Sequence, residues 1–135
     1  MPSIIITGSR DFNDLSFLFK IMDDILGKWN KQPTIISSGR PGAETRGEAY
    51  AKANGLPLKV FTPDVKTFGY AAIAMINQEM AAAATHCVCF YKKEPEVDNL
   101  LKACEKIKVK IVPFSLVVDW VDTDKFIYTY DEITG

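Results

Sequence analysis

Histidine is almost absent from this chain, since His86 is the single histidine among 135 residues. A Ser–His–Asp triad and a zinc-binding HExxH motif both need histidine next to specific partners, and neither pattern surrounds His86. His86 begins a predicted strand, at the end opposite to the one where parallel sheets bind ligands. We therefore predict an exposed or capping role for it and exclude these two histidine-based chemistries.

Cysteine is also scarce, with only Cys87, Cys89 and Cys104. An odd count without paired spacing argues against a disulfide framework. Cys87 and Cys89 lie two residues apart in an apolar run, so in a strand both side chains point to the same face. We interpret the thiols as buried structural residues, and we expect no metal and no cofactor.

The chain lacks both an excess of one charge and a long apolar run. Its formal net charge is −1 with the two signs interspersed, which argues against nucleic acid as a partner. No apolar run approaches the roughly 20 residues that span a membrane, and residues 1–6 lack the basic leader of a signal peptide. We expect a cytoplasmic protein without a membrane partner.

Apolar runs alternate with helical periods, which predicts a parallel sheet covered by helices. We predict an α/β, Rossmann-like three-layer sandwich whose mainly parallel five-stranded sheet has the order 3-2-1-4-5. Residues 1–135 form a single domain in this prediction, at the usual size of one domain. The strands are predicted at residues 4–7, 34–37, 58–62, 86–91 and 109–113.

Four helices are predicted, one between each pair of consecutive strands. Asp14 can cap the first, and the second and third cover residues 44–53 and 70–84, with a loop at residues 63–69. Residues 114–135 form a C-terminal extension with an edge strand or hairpin, because aromatic residues alternate there with Ile127 and Thr129. The first helix has an apolar face of Leu18, Ile21, Met22, Ile25 and Trp29, and the fourth has one of Val97, Leu100, Leu101, Cys104 and Ile107.

Two small-residue loops follow the first two predicted strands, at the sheet edge where ligands bind. In the first, Gly8 permits close backbone approach, Ser9 offers a hydroxyl, and Arg10 offers a forked cation suited to phosphate. The second leads into a helix, where backbone N–H groups and the helix dipole favour anions. Ordinary polar turns remain the alternative for both loops. The candidate ligand-binding residues of the second loop are Ser38, Gly39, Arg40, Gly42, Ala43 and Glu44.

Asn77 is a polar residue in the otherwise apolar third helix, on the face of Ile73 and Met80. A buried asparagine needs partners, which can be a ligand, the loop after the first strand, or other structural groups. The candidate acids near the site are Asp11, Glu44 and Asp64, which are more typical of caps and solvated charges than of general bases.

Four segments together resemble the YspA-type branch of the SLOG superfamily, which is related to DNA-processing protein A and the lysine-decarboxylase-like Lonely Guy proteins. They are residues 7–12 (Thr-Gly-Ser-Arg-Asp-Phe), 42–44, 47–51 and 77–80. The resemblance implies a phage or bacterial origin, since such domains are common in phages and bacteria, and the host cytoplasm is the expected compartment if a phage encodes the chain. The resemblance covers residues 4–113 and implies a Rossmann-like fold that binds nucleotides or nucleotide-derived ligands. It implies a pocket lined by Gly8, Ser9 and Arg10, a second wall of Ser38, Gly39, Gly42 and Ala43, and support from Asn77.

The chain departs from this family pattern in ways that bear on catalysis. Enzymatic relatives carry a glycine-threonine phosphate cradle after the fourth strand, whereas residues 91–99 contain no glycine. Lys92 and Lys93 can supply charge there instead, but only as point charges. Ser38 replaces a family glycine, and Ile76 stands where an arginine is common.

We predict a binding module that senses or sequesters a nucleotide or nucleotide-derived small molecule, and we lean against an enzyme. One alternative is an N-glycosidic hydrolase like the phosphoribohydrolases of the superfamily, against which the missing cradle counts. Another is a degenerate protein-interaction scaffold, against which the retained Gly-Ser-Arg run counts. We also expect a homodimer, because the alanine-rich third helix and the aromatic residues Phe126, Tyr128 and Tyr130 offer apolar surface beyond the need of one small core.

Overall fold

The structure, a computed structural model, describes residues 2–27, 29, 32–91, 94–107 and 109–115. Strands and helices alternate along this part of the chain, with one additional short helix before the fourth strand. The strands are β1 (Ser3–Gly8), β2 (Thr34–Ser37), β3 (Leu58–Val60), β4 (His86–Tyr91) and β5 (Lys110–Ser115). The helices are α1 (Leu15–Leu26), α2 (Ala43–Ala53), α3 (Val65–Phe68), α4 (Ala71–Ala83) and α5 (Pro95–Lys106).

The strands form one sheet in the order β3-β2-β1-β4-β5, and every neighbouring pair is parallel. Ile4 of the central strand β1 lies opposite Ile35 of β2 and His86 of β4. These pairings confirm the predicted α/β, Rossmann-like fold and the order 3-2-1-4. Residues 114 and 115 belong to β5, and the edge strand or hairpin predicted around residues 126–130 lies outside the described residues.

Helices cover both faces of the sheet. Successive β1 side chains point in opposite directions, so both faces carry apolar side chains that need cover. Ile4 and Ile6 pack on one face in a cluster that includes Leu18 of α1 and Tyr50 of α2. Ile5 packs on the other face in a cluster that includes Met80 of α4 and Leu100 of α5. All described helices are too short or too polar to cross a membrane.

The first helix begins where Asp14 caps it, since the Asp14 carboxylate accepts the Phe17 N–H at 3.0 Å. Four residues of its predicted apolar face are buried, but Trp29 lies beyond the helix end, where its ring centroid is 4.8 Å from that of His86. Ile107, predicted on the apolar face of the fourth helix, instead follows the end of α5 and is 48% exposed.

The prediction of a loop over residues 63–69 is wrong in part, because α3 forms there. The Asp64 carboxylate accepts the Thr67 N–H at 3.2 Å and so satisfies one of the N–H groups that a helix start leaves free. The third strand is also shorter than predicted and ends at Val60, which pairs with Ser37. The chain therefore reaches α4 through a short helical turn.

The three cysteine thiols are free and buried. A side-chain hydrogen bond with Cys104, together with burial, raises the pKa of Cys87 well above its usual value. Burial raises the pKa of Cys89 as well. A thiol that stays protonated is a poor nucleophile and a poor metal ligand, so Cys87 and Cys89 act as small core residues.

Gly47 lets α2 approach the central strand closely, because a Cβ atom there would lie 2.7 Å from the Cβ of Ile6. We expect Gly47→Ala to lower the free energy of unfolding by about 1–3 kcal/mol through overpacking, despite the better helix propensity of alanine. Urea denaturation measures this change, with Lys52→Ala at an exposed position of the same helix as the control. A Gly47→Ala protein as stable as the wild type would contradict the close approach.

Candidate functional site

The loops after β1 and β2 are bonded to each other through the backbone of Ser9. Its carbonyl oxygen accepts the N–H groups of Phe12 and Ala43, both at 3.2 Å. Gly42 has φ 93°, and a Cβ atom at this position would collide with the same carbonyl oxygen. Glycine is therefore required at position 42 because the two loops touch.

Gly8 is required for a similar reason at the end of β1. A Cβ atom there would overlap the Phe90 carbonyl of the neighbouring strand and would lie 2.8 Å from the Cβ of Ala43. The next residue, Ser9, is fully buried, and its N–H donates to the Phe90 carbonyl at 3.0 Å. The predicted ligand-binding residues thus lie together as a buried patch of protein backbone. They are Gly8, Ser9, Gly42 and Ala43.

Glu44 is a buried carboxylate at the start of α2, with 1% of its surface exposed. One oxygen accepts the Thr7 hydroxyl at 3.0 Å. The other accepts both the N–H and the hydroxyl of Ser38 at 2.6 Å. Both predicted residues, Glu44 and Ser38, are therefore bonded to each other, and Glu44 links the end of β1 to the loop after β2.

Glu48, one helical turn further along α2, holds the other side of that loop. It accepts the Ser37 hydroxyl at 2.6 Å, and the Ser37 oxygen in turn accepts the Gly39 N–H at 3.0 Å. The sequence analysis missed Glu48. The signal for it is the spacing of four residues from Glu44, which places both carboxylates on one face of the helix.

Arg40, the predicted anion ligand of the second loop, points inward and is bonded to the protein. Its Nη2 donates to the Gly8 carbonyl at 3.3 Å and to the Glu94 carboxylate at 3.0 Å. Its Nε lies 3.3 Å from a carboxylate oxygen of Glu96. Only 12% of the Arg40 side chain is exposed, so its charge is balanced by the two carboxylates at the start of α5.

Glu94 joins the loop after β1 to the same cluster, because its second oxygen accepts the Arg10 N–H at 3.1 Å. Sequence analysis did not identify Glu94 or Glu96 as site residues. The available signal is the pattern Glu-Pro-Glu, with proline at the first turn of α5 and acids where the helix dipole favours them.

An open cleft of about 460 Å³ lies above these contacts, between the loop after β1 and the starts of α4 and α5. Arg10 is exposed there, and Tyr70 is 89% exposed. The sequence analysis missed Tyr70, since an exposed aromatic residue is not distinguishable from a core one by its type alone. The cleft is lined by Arg10, Tyr70, Ile73, Ala74, Glu94, Pro95, Glu96 and Asn99.

Asn77 is 5% exposed and ties α4 to α5. Its side-chain amide donates to the Glu96 carbonyl at 3.2 Å and to the Asn99 side-chain oxygen at 2.9 Å. Among the partners considered for it, the structure shows structural groups, both of them in α5. Asn77 thereby positions Glu96 and Asn99, which both line the cleft.

Two further acids are candidates near the site: Asp64 caps α3, and Asp11 is an exposed residue of the loop after β1. Lys92 and Lys93 lie outside the described residues. His86 begins β4 at the opposite end of the sheet, as predicted, and its Nδ1 lies 2.7 Å from the Thr85 hydroxyl.

Comparison with protein families gives one match, which covers about half of the chain. The family described as YAcAr: YspA, cpYpsA-related SLOG family matches residues 2–68, which span β1 to α3 and include both loops of the site. Comparisons with curated proteins and with solved structures give no match. On the matched residues, the chain belongs to the SLOG superfamily, in its YspA-like branch.

Proposed function

We propose that the protein binds a nucleotide or nucleotide-derived small molecule in the cleft at the carboxyl ends of the parallel strands. SLOG membership indicates a nucleotide-related ligand that is bound or processed. The observation that carries the proposal is the presence of an exposed aromatic ring, Tyr70, and an exposed cation, Arg10, in one cleft.

Two residues of the cleft lining suit the two ends of a nucleotide. A base can stack on the Tyr70 ring beside the apolar surface of Ile73 and Ala74, and such stacking contributes about 1–3 kcal/mol. The Arg10 guanidinium can donate two parallel hydrogen bonds to a phosphate. Sugar hydroxyls are suitable donors to the Glu96 carboxylate, which also lines the cleft.

Binding without turnover fits the chemistry of this site better than hydrolysis. Cleavage of an N-glycosidic bond needs an acid or base placed against the sugar. Glu44, the buried acid of the site, accepts hydrogen bonds on both oxygens from Thr7 and Ser38. A protein that holds its ligand unchanged is suited to sensing or sequestering, and we propose this role in the cytoplasm of a bacterium or of a phage-infected host.

We further propose that the protein is a homodimer. Exposed apolar side chains cluster along α3 and the beginning of α4, where Phe68 is 48% and Met75 is 43% exposed. Pairing with a second copy would remove this surface from water.

Substitutions of Arg10 and Tyr70 test the proposed binding mode. Arg10→Ala is expected to weaken AMP binding by roughly ten- to a hundredfold, because a charge-assisted bond contributes about 1.5–3 kcal/mol. Tyr70→Ala is expected to weaken the binding of both AMP and adenosine by about tenfold or more, because the base loses its stacking partner. Isothermal titration calorimetry measures both, and Arg10→Lys should restore only part of the AMP affinity because ammonium lacks the planar fork.

Matched controls for these variants lie outside the cleft lining. Arg46→Ala removes an arginine of α2, and Phe68→Ala removes a half-exposed aromatic ring of α3. Both controls should bind AMP like the wild type. Unchanged affinity in Arg10→Ala and Tyr70→Ala would place the ligand elsewhere.

Product analysis tests whether binding occurs without turnover. Purified protein is incubated with nucleoside monophosphates, ADP-ribose and NAD, and the products are separated by chromatography. We expect no free base above the level of a Glu44→Gln control, since that substitution removes the charge of the one buried acid described at the site. Base release by the wild type alone would establish the hydrolase alternative.

Light scattering after size exclusion tests the dimer. We expect twice the mass of one chain at micromolar concentration, and a shift toward one chain mass for Phe68→Glu, which places a charge in the apolar patch. A wild-type mass of one chain would contradict the dimer.

A further inference from the structure

Glu94 places a negative charge among donors that resemble an anion-binding site. Its two carboxylate oxygens accept the backbone N–H of Arg10 at 3.1 Å and the Arg40 guanidinium at 3.0 Å. These donors come from the loops after β1 and β2, whereas Glu94 precedes α5. A backbone N–H together with a guanidinium is the donor set that binds phosphate in many proteins.

The Glu94 carboxylate also lies within the cleft of the proposed ligand. Glu94 and Arg10 both line this cleft, and 25% of the Glu94 side chain remains exposed. A phosphate bound at the Arg10 N–H would therefore lie in the same cleft as a base at Tyr70.

The carboxylates leave one strong donor of this cluster without a hydrogen bond. Among the described residues, the Arg40 Nε is buried and has no acceptor at bonding geometry, although a Glu96 oxygen lies 3.3 Å away. A carboxylate presents two oxygens in one plane, whereas a phosphate presents three in different directions. A phosphate can therefore satisfy donors that these carboxylates leave unpaired.

We propose that the Glu94 carboxylate occupies the position of the ligand's phosphate and thereby determines which ligands the cleft binds. A nucleoside without a phosphate binds beside Glu94, whereas a phosphorylated ligand binds fully only when it displaces this carboxylate from Arg10 and Arg40. The inference deepens the proposed function and rests on it for the identity of the ligand. Glu94 is a specificity-determining residue in this account and has no catalytic role.

Inorganic phosphate is the probe that isolates this effect, because it needs no base-binding surface. The wild type, Glu94→Gln and Glu96→Gln are titrated with phosphate, and the amide signal of Arg10 is followed by ¹⁵N NMR. Glu96→Gln removes the same charge from the same helix turn but not the contact with Arg10. We expect Glu94→Gln to bind phosphate about tenfold or more tightly than the wild type, and Glu96→Gln to change affinity by less than about threefold.

Equal gains in phosphate affinity in Glu94→Gln and Glu96→Gln would overturn the proposal, since they would reflect only the lower negative charge at the start of α5. Weaker binding by Glu94→Gln, or no response of the Arg10 amide, would overturn it as well and make Glu94 a structural clamp. Glu94→Asp, which withdraws the carboxylate by one methylene, replaces Glu94→Gln if that variant does not fold, and unchanged phosphate affinity in it contradicts the proposal.

A parallel titration with adenosine separates this inference from the proposed function. Absence of adenosine binding would contradict the nucleoside cleft at Tyr70. The phosphate titrations would still decide the role of Glu94, because they do not depend on a base.

Discussion

The site depends on the buried carboxylate of Glu44, which holds the ends of β1 and β2 together. Its oxygens accept hydrogen bonds from Thr7 and Ser38, and each of these donors would cost about 1–3 kcal/mol if it were buried without a partner. With the loops fixed in this way, Gly42 can lie against the Ser9 carbonyl and Arg40 can reach the Gly8 carbonyl. These contacts between the two loops are therefore made by the protein alone, before any ligand binds.

The acids at the start of α5 add a second constraint, which acts on charge. Glu94 and Glu96 are favourable at this helix end because the dipole attracts negative groups there, and they also balance the buried charge of Arg40. The same position would otherwise favour a ligand phosphate. Stability of the unliganded protein and affinity for phosphate thus compete for the same donors, while the exposed Arg10 side chain can still attract an anionic ligand.

The sequence predicts what depends on local pattern. The strand and helix alternation gives the sheet order 3-2-1-4, and Asp14 marks the start of α1 as expected. The roles of Arg40 and Glu94 were not predictable, because their contact joins residues 54 positions apart. An arginine in a glycine-containing loop looks the same in sequence whether it faces a ligand or a carboxylate of its own chain. Asp64 has the residue type of a helix cap, and it does cap α3, but the short helix itself was not predicted from residues 63–69.

A crystal structure of the protein with AMP shows whether the cleft binds a nucleotide. We expect the base against the Tyr70 ring, the phosphate at Arg10, and no change in the bonds between Glu44 and the two loops. An AMP molecule in another cleft, such as the one lined by Tyr50 and Asn54, would contradict this expectation, and so would an empty Tyr70 cleft at saturating AMP.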